Sequence, residues 1–228
     1  MKIEKVNILG DSITWGYEAF TEKRLKIRYP DLLKEELQLQ QVNQYGISGS
    51  TLASGENAFE PMCLRYKNME EADMVIVFGG TNDYDPVSEK PICLGNKNEK
   101  NTETIYGAIH KICRGLKEKY PTAILVFMTP LKRGYENENA KLELKTKVKN
   151  DLGYTLEDVG KAIKEVCQMY EIDVFDLYEE CGIEKTEDVL KYLPDGLHPT
   201  EEYHEILAKK LVNFIEVKYI NYLQKWKT

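Results

Sequence analysis

Histidine is scarce in this chain of 228 residues: there are three, His110, His198 and His204. Any chemistry that needs an imidazole must be assigned among them. C-x-x-C spacing is missing altogether, and the five cysteines, Cys63, Cys93, Cys113, Cys167 and Cys181, are widely scattered, which sets aside a zinc site or redox pair. Cys113 and Cys167 fall inside helical patterns, where a free thiol behaves as a small core residue, and cysteine usage of this kind points to a reducing compartment. No apolar run approaches the length of a membrane span, and the N-terminal "MKIEK" runs straight into a strand pattern without the apolar region of a signal peptide. A cytoplasmic location is therefore expected. Excess positive charge is lacking too: the net charge is −7, whereas a nucleic-acid surface needs clustered Lys and Arg. The basic stretch 141–149, interleaved with Leu142, Leu144 and Val148, reads as a solvated helix face with no partner assigned.

Linkers, repeats and low-complexity segments are absent as well, so a single domain over residues 1–228 is expected. A chain of this length can bury about seventy per cent of its unfolded surface. What is present is an alternation of strand and helix patterns. Strands are expected at residues 6–9, 41–47, 74–78, 123–129 and 172–176, the best being the continuous apolar runs "MVIVF" and "AILVFM" that suit strands covered on both faces. Helices are expected at 30–40, opening on Pro30, at 102–119, closed by Pro121, at 155–170, capped by Thr155 with Asp158 in the first turn, and at about 201–223. Strands alternating with helices imply crossover units and hence a three-layer α/β/α sandwich around a parallel sheet of about five strands. Residues 83–101 and 131–153 are irregular, and long connections of this kind are candidate pocket walls. The C-terminal Tyr219, Tyr222, Leu223 and Trp226 exceed what one core-facing stripe needs; packing on the domain is expected ahead of a dimer contact.

Four stretches carry polar residues of the kind chemistry needs. "NILGDSITWG" (7–16) follows the first strand, "YGISGST" (45–51) the second, "FGGTNDYD" (78–85) the third, and "DGLHPTEEYH" (195–204) precedes the last helix. In a parallel sheet the strand ends share one edge, where ligands bind. A serine hydroxyl becomes a nucleophile when an imidazole takes its proton, and the imidazole needs a carboxylate to hold its tautomer. Ser12, His198 and Asp195 can supply those roles. Asp195 and His198 lie three apart with Gly196 between them, a spacing that one tight turn can present together, and Pro199 keeps His198 out of the following helix. A tetrahedral intermediate also needs donors for its oxyanion. The backbone N–H groups of Ser12 and Gly49 and the side-chain amide of Asn82 are the candidates.

Taken singly, each of these residues has an ordinary explanation as a cap, turn or loop amide. Their joint occurrence at strand ends is what weighs against that. His110 and His204 fall within helices and are assigned structural or exposed roles. Asp11, Trp15, Asp83 and Tyr84 stand as candidate substrate contacts, with Tyr17 and Asp85 beside them. Asp11, Asp83 and His198 around a cation would make a phosphoesterase-like site, but a divalent ion usually needs more converging ligands, and no metal or cofactor is assigned.

The chain resembles the SGNH hydrolases, the GDSL-type esterases and lipases, whose name records Ser, Gly, Asn and His in four blocks. Gly10-Asp11-Ser12 matches the first block, with Ile13 where many members have leucine. Gly49 matches the second, Gly80-Thr81-Asn82-Asp83 the third, and Asp195-Gly196-Leu197-His198-Pro199 the last. Tyr203 departs from the glycine that many members have after the last block. The resemblance implies a flavodoxin-like α/β/α fold, a Ser12-His198-Asp195 triad and an oxyanion hole from Ser12, Gly49 and Asn82. The G-x-S-x-G elbow of α/β-hydrolases is not found around Ser12. The expected activity is metal-independent hydrolysis of a small-molecule ester. The polar loops favour a short acyl group on a carbohydrate or other polar alcohol. A lysophospholipase- or thioesterase-type hydrolase and a non-catalytic binding protein are the alternatives.

Overall fold

The computed structural model describes residues 2–86 and 90–223. Five strands, β1 (Lys5–Gly10), β2 (Gln41–Gly46), β3 (Met74–Phe78), β4 (Ile124–Met128) and, after a two-stranded hairpin, β7 (Asp173–Phe175), form one parallel sheet in the order β2-β1-β3-β4-β7. The antiparallel hairpin pairs β5 (Gly134–Glu136) with β6 (Leu142–Leu144). Helices are α1 (Ser12–Trp15), α2 (Tyr29–Glu36), α3 (Met62–Arg65), α4 (Thr81–Tyr84), α5 (Ile105–Lys119), α6 (Leu156–Met169), α7 (Leu177–Glu180), α8 (Thr186–Tyr192) and α9 (Glu201–Tyr219).

Why the central strands read as unbroken apolar runs is evident from the two cores. Val75, Val77 and Phe127 face one cluster with Ile109, Ile112, Val159 and Ile163 of α5 and α6. Met74, Ile76, Phe78 and Val126 face the other, with Leu33 of α2 and Leu207 and Leu211 of α9. All five residues of β3 are buried, so alternation between faces leaves no polar position. The expected α/β/α sandwich is thus the observed one. Thr155 and Asp158 form a reciprocal capping box at α6. The chain leaves α2 at Gln38, where φ is +52°, earlier than the expected residue 40.

The stretch 141–149 is not a helix face. Leu142 and Leu144 alternate with Glu143 as strand β6 and lean on the α2/α9 core, a period-two pattern that its short length concealed among lysines. The expected final helix stops at Tyr219, and a 3-10 turn, Ile220–Tyr222, follows. Tyr219 is buried, with its hydroxyl donating to Asp173 Oδ2, and the Ile3 amide donates to the Tyr222 carbonyl; Trp226 lies outside the described residues. Among the described residues no helix is long and apolar enough to cross a membrane.

Candidate active site

The strand order reverses between β1 and β3, which neighbour each other in the sheet while their following chains leave toward different sides. Open α/β sheets place ligands outside such a switch point. β1 ends at Gly10, Asp11 caps α1 by accepting the Ile13 amide, and Ser12 is the first residue of that helix. Gly46 ends β2 beside it, in register with Gly10.

The turn before α9 is folded by Asp195. Its Oδ1 accepts the backbone amides of Leu197 (2.9 Å) and His198 (2.7 Å), and its Oδ2 lies 2.6 Å from His198 Nδ1. Gly196 has φ +80°, and a Cβ there would lie 2.8 Å from the Gly134 carbonyl oxygen, so glycine is required for both reasons. On its far side His198 presents Nε2 at 3.0 Å from Ser12 Oγ. The Tyr17 ring lies against the imidazole, with centroids 4.4 Å apart at 40°. Burial pushes the Asp195 carboxyl up, but the hydrogen bonds from the His198 side chain and backbone, and from the Leu197 amide, outweigh it and hold the group below its ordinary value.

Gly49 is exposed, with φ +79°, in a turn closed by the Ser50 amide on the Ile47 carbonyl and tied to β1 by the Ile47 amide on the Gly10 carbonyl. Asn82, in α4 after β3, spends one N–H of its amide on the Ser50 carbonyl at 2.9 Å. That bond brings the turns after β2 and β3 together. Among the described residues the backbone N–H groups of Ser12 and Gly49 donate to no protein acceptor.

Asp83 and Tyr84 do not line the cleft. Asp83 is fully buried, its two oxygens taken by the Leu52 (2.8 Å) and Ala53 (2.9 Å) amides; burial raises it to about 7 against the pull of those amides. Tyr84 is equally buried and donates its hydroxyl to the Val148 carbonyl. Asp11 is buried too, raised to about 6 by burial against the Ile13 amide, His198 and Arg65. These three therefore hold loops rather than meet a ligand directly. Trp15 stays half-exposed beneath the Arg24 guanidinium. The three residues weighed as a cation site are not gathered for one: among the described residues no three His, Cys, Asp or Glu side chains are so grouped. His110 is buried and bonded to the Lys97 carbonyl, and His204 is buried against Tyr29.

Arg65 was not singled out by any motif. Its guanidinium donates to the carbonyls of Gly10, Tyr45 and Glu60 and to Ser50 Oγ, joining the ends of β1 and β2 to the Gly49 turn. Burial lowers its pKa to about 10, against the raising influence of Asp11 and Glu60. A lone arginine on a four-residue helix leaves no spacing signal. Beside the His198 turn, a groove of about 600 Å³ runs between the 18–26 loop, with Glu18, Phe20, Lys23 and Lys26, and the flanking Pro194 and Pro199.

The GDSL-like lipase/acylhydrolase family model matches residues 8–206. The chain belongs to that family. It is accordingly a hydrolase of ester bonds. One crystal structure is 30% identical over 94% of this chain and 96% of its own, with a TM-score of 0.83. A protein from Lactobacillus plantarum is 28% identical over 96% of this chain and 99% of its own, with a TM-score of 0.81. A variant of an acetyl-xylooligosaccharide esterase from Geobacillus is 21% identical, covering 99% of this chain and 100% of its own at a TM-score of 0.62, a likeness of fold. No curated protein matches. The family assignment agrees with the four blocks at 10–12, 49, 80–83 and 195–199, three of which follow strands β1, β2 and β3.

Proposed function

We propose that this family member is a serine esterase in which Ser12 is the nucleophile, His198 the base and Asp195 its orienting carboxylate. The observation that carries the reading is the unbroken chain from Asp195 Oδ2 through His198, 2.6 Å on one side, to Ser12 Oγ, 3.0 Å on the other. With Nδ1–H donating to Asp195, Nε2 is left to accept the Ser12 hydroxyl proton. Ser12 Oγ then attacks the ester carbonyl, His198 returns the proton to the leaving alkoxide as the C–O bond breaks, and water repeats the sequence on the acyl-enzyme. The N–H groups of Ser12 and Gly49 and the second N–H of Asn82 receive the oxyanion.

The substrate is read as a short-acyl ester, acetyl foremost, of a carbohydrate or other polar alcohol. The groove beside His198 supports this: it mixes the charged Glu18, Lys23, Lys26 and Glu201 with the apolar Phe20, Leu25, Pro194 and Pro199, a lining that the hydroxyls and ring faces of a sugar can both meet. A series of 4-nitrophenyl esters from acetate to octanoate, extended to acetylated xylo-oligosaccharides and lysophospholipids, tests it. Falling kcat/KM with acyl length and turnover of the acetylated sugar are expected; preference for octanoate or lysophospholipid would replace the reading with a lipase-like one.

A further inference from the structure

Arg133 stands in the connection after β4, immediately before β5. The Gly134 amide donates to the Gly196 carbonyl at 2.8 Å, so the chain here runs against the Asp195–His198 turn. Its Nη1 reaches Thr81 Oγ1 at 3.2 Å and the Thr81 carbonyl at 3.4 Å, next to Asn82. Its Nε is buried without a partner. Nη2 makes no hydrogen bond with the protein, and the residue is partly exposed. Among the described residues no carboxylate comes within ion-pairing distance; the acidic and phenolic groups that face the guanidinium at longer range are Asp195, Asp85, Tyr84 and Tyr135. Burial lowers its pKa, yet a guanidinium remains charged at any ordinary pH. A largely enclosed cation with part of its fork unspent thus lies one residue removed from both Asn82 and the His198 turn. Such a charge is costly until something pairs it.

We propose that Arg133 receives a carboxylate of the substrate, making the preferred substrates esters that bear a carboxylate close to the scissile bond. The inference rests on the Ser12-His198-Asp195 reading, which fixes where the ester lies. A carboxylate oxygen on the free Nη2 makes a charge-assisted hydrogen bond and pairs the cation, whereas the hydroxyls of a neutral alcohol would meet its N–H groups and leave its charge unpaired. An anionic polar alcohol, or a short acyl group ending in a carboxylate, satisfies both this cation and the polar groove.

The test compares kcat/KM for charged and neutral partners of equal shape. One arm is 4-acetoxybenzoate against 4-acetoxybenzamide, with the charge on the alcohol side. The other is mono-4-nitrophenyl adipate against 4-nitrophenyl 5-carbamoylpentanoate, with the charge on the acyl side. Wild type is expected to favour the anion by roughly tenfold or more in one arm, in line with a hydrogen bond to a charged group. Arg133→Gln brings that ratio near one and Arg133→Lys leaves an intermediate value; the ratio cancels any loss common to both esters. A wild-type ratio at or below one in both arms overturns the proposal without any variant, as does a ratio that persists in Arg133→Gln. Should Arg133→Gln fail to fold, an unchanged ratio in Arg133→Met overturns the proposal. Ser12→Ala run alongside separates the two claims: hydrolysis that survives it sinks the serine reading, while hydrolysis lost in Ser12→Ala with no preference in wild type sinks only the carboxylate.

Discussion

Gly10 and Gly46 are register partners at the carboxyl ends of β1 and β2, and both lie against the helix that carries Ser12. A Cβ on Gly10 would fall 2.0 Å from Thr14 Oγ1, and one on Gly46 would fall 2.4 Å from the Trp15 amide nitrogen. The second neighbour is backbone and cannot swing away. Gly46→Ala is therefore expected to push α1 off the sheet edge, costing about 1–3 kcal/mol of stability and, through the displaced serine, roughly tenfold to a hundredfold in kcat. Thermal unfolding and ester hydrolysis read the two effects; wild-type values for both would remove the packing argument.

Asn82 has two tasks, one N–H on the Ser50 carbonyl and the other offered to the oxyanion. Asn82→Ala is expected to lower kcat by roughly 10²–10³ with little change in KM, the pattern of an interaction made mainly in the transition state. A loss confined to KM would assign Asn82 to ground-state binding instead.

Arg65 bonds three carbonyls and a hydroxyl from two strand ends, the Gly49 turn and the loop before α3. Arg65→Met keeps much of the volume but leaves those acceptors unpaired, with an expected cost of about 2–4 kcal/mol and a fall in kcat as the turn loosens. Chemical denaturation together with steady-state kinetics checks it; an unaffected kcat would mean that the turn holds itself.

His204 is buried beside Tyr29, with burial and then Arg28 lowering its pKa to about 3. The unfolded chain binds a proton there near the ordinary value of about 6.5, so the folded state's advantage is complete above that pH and is lost as pH falls from about 6.5 toward 3. Against His204→Leu, wild-type stability is expected to drop by up to about 1.4 kcal/mol per pH unit in that window. Denaturation at pH 7.5, 5.5 and 4.5 measures the difference, in which other titrating groups cancel; a difference independent of pH would contradict it.

Five strands, four long helices and four glycine- and asparagine-bearing turns were legible because each rests on local pattern: unbroken apolar runs, three- and four-residue spacing, caps and strand-end glycines. Asp83 shows where that stops. After a strand it reads as a turn aspartate or a substrate contact, but the Leu52 and Ala53 amides that bury it come from thirty residues away. The hairpin at 134–144 was hidden because its strands have three residues each and its leucines alternate with lysine and glutamate. Arg65 and Arg133 acquire their roles only from carbonyls and turns that folding brings to them.

The central claim is that Ser12, activated by His198, does the chemistry. Hydrolysis of 4-nitrophenyl acetate by wild type and Ser12→Ala tests it most directly, since the substitution removes one oxygen from a buried position and leaves the Asp195–His198 turn intact. The account predicts turnover by wild type and its loss, by several orders of magnitude, in a variant that still folds. Equal rates in the two proteins, or no hydrolysis by either, would contradict it.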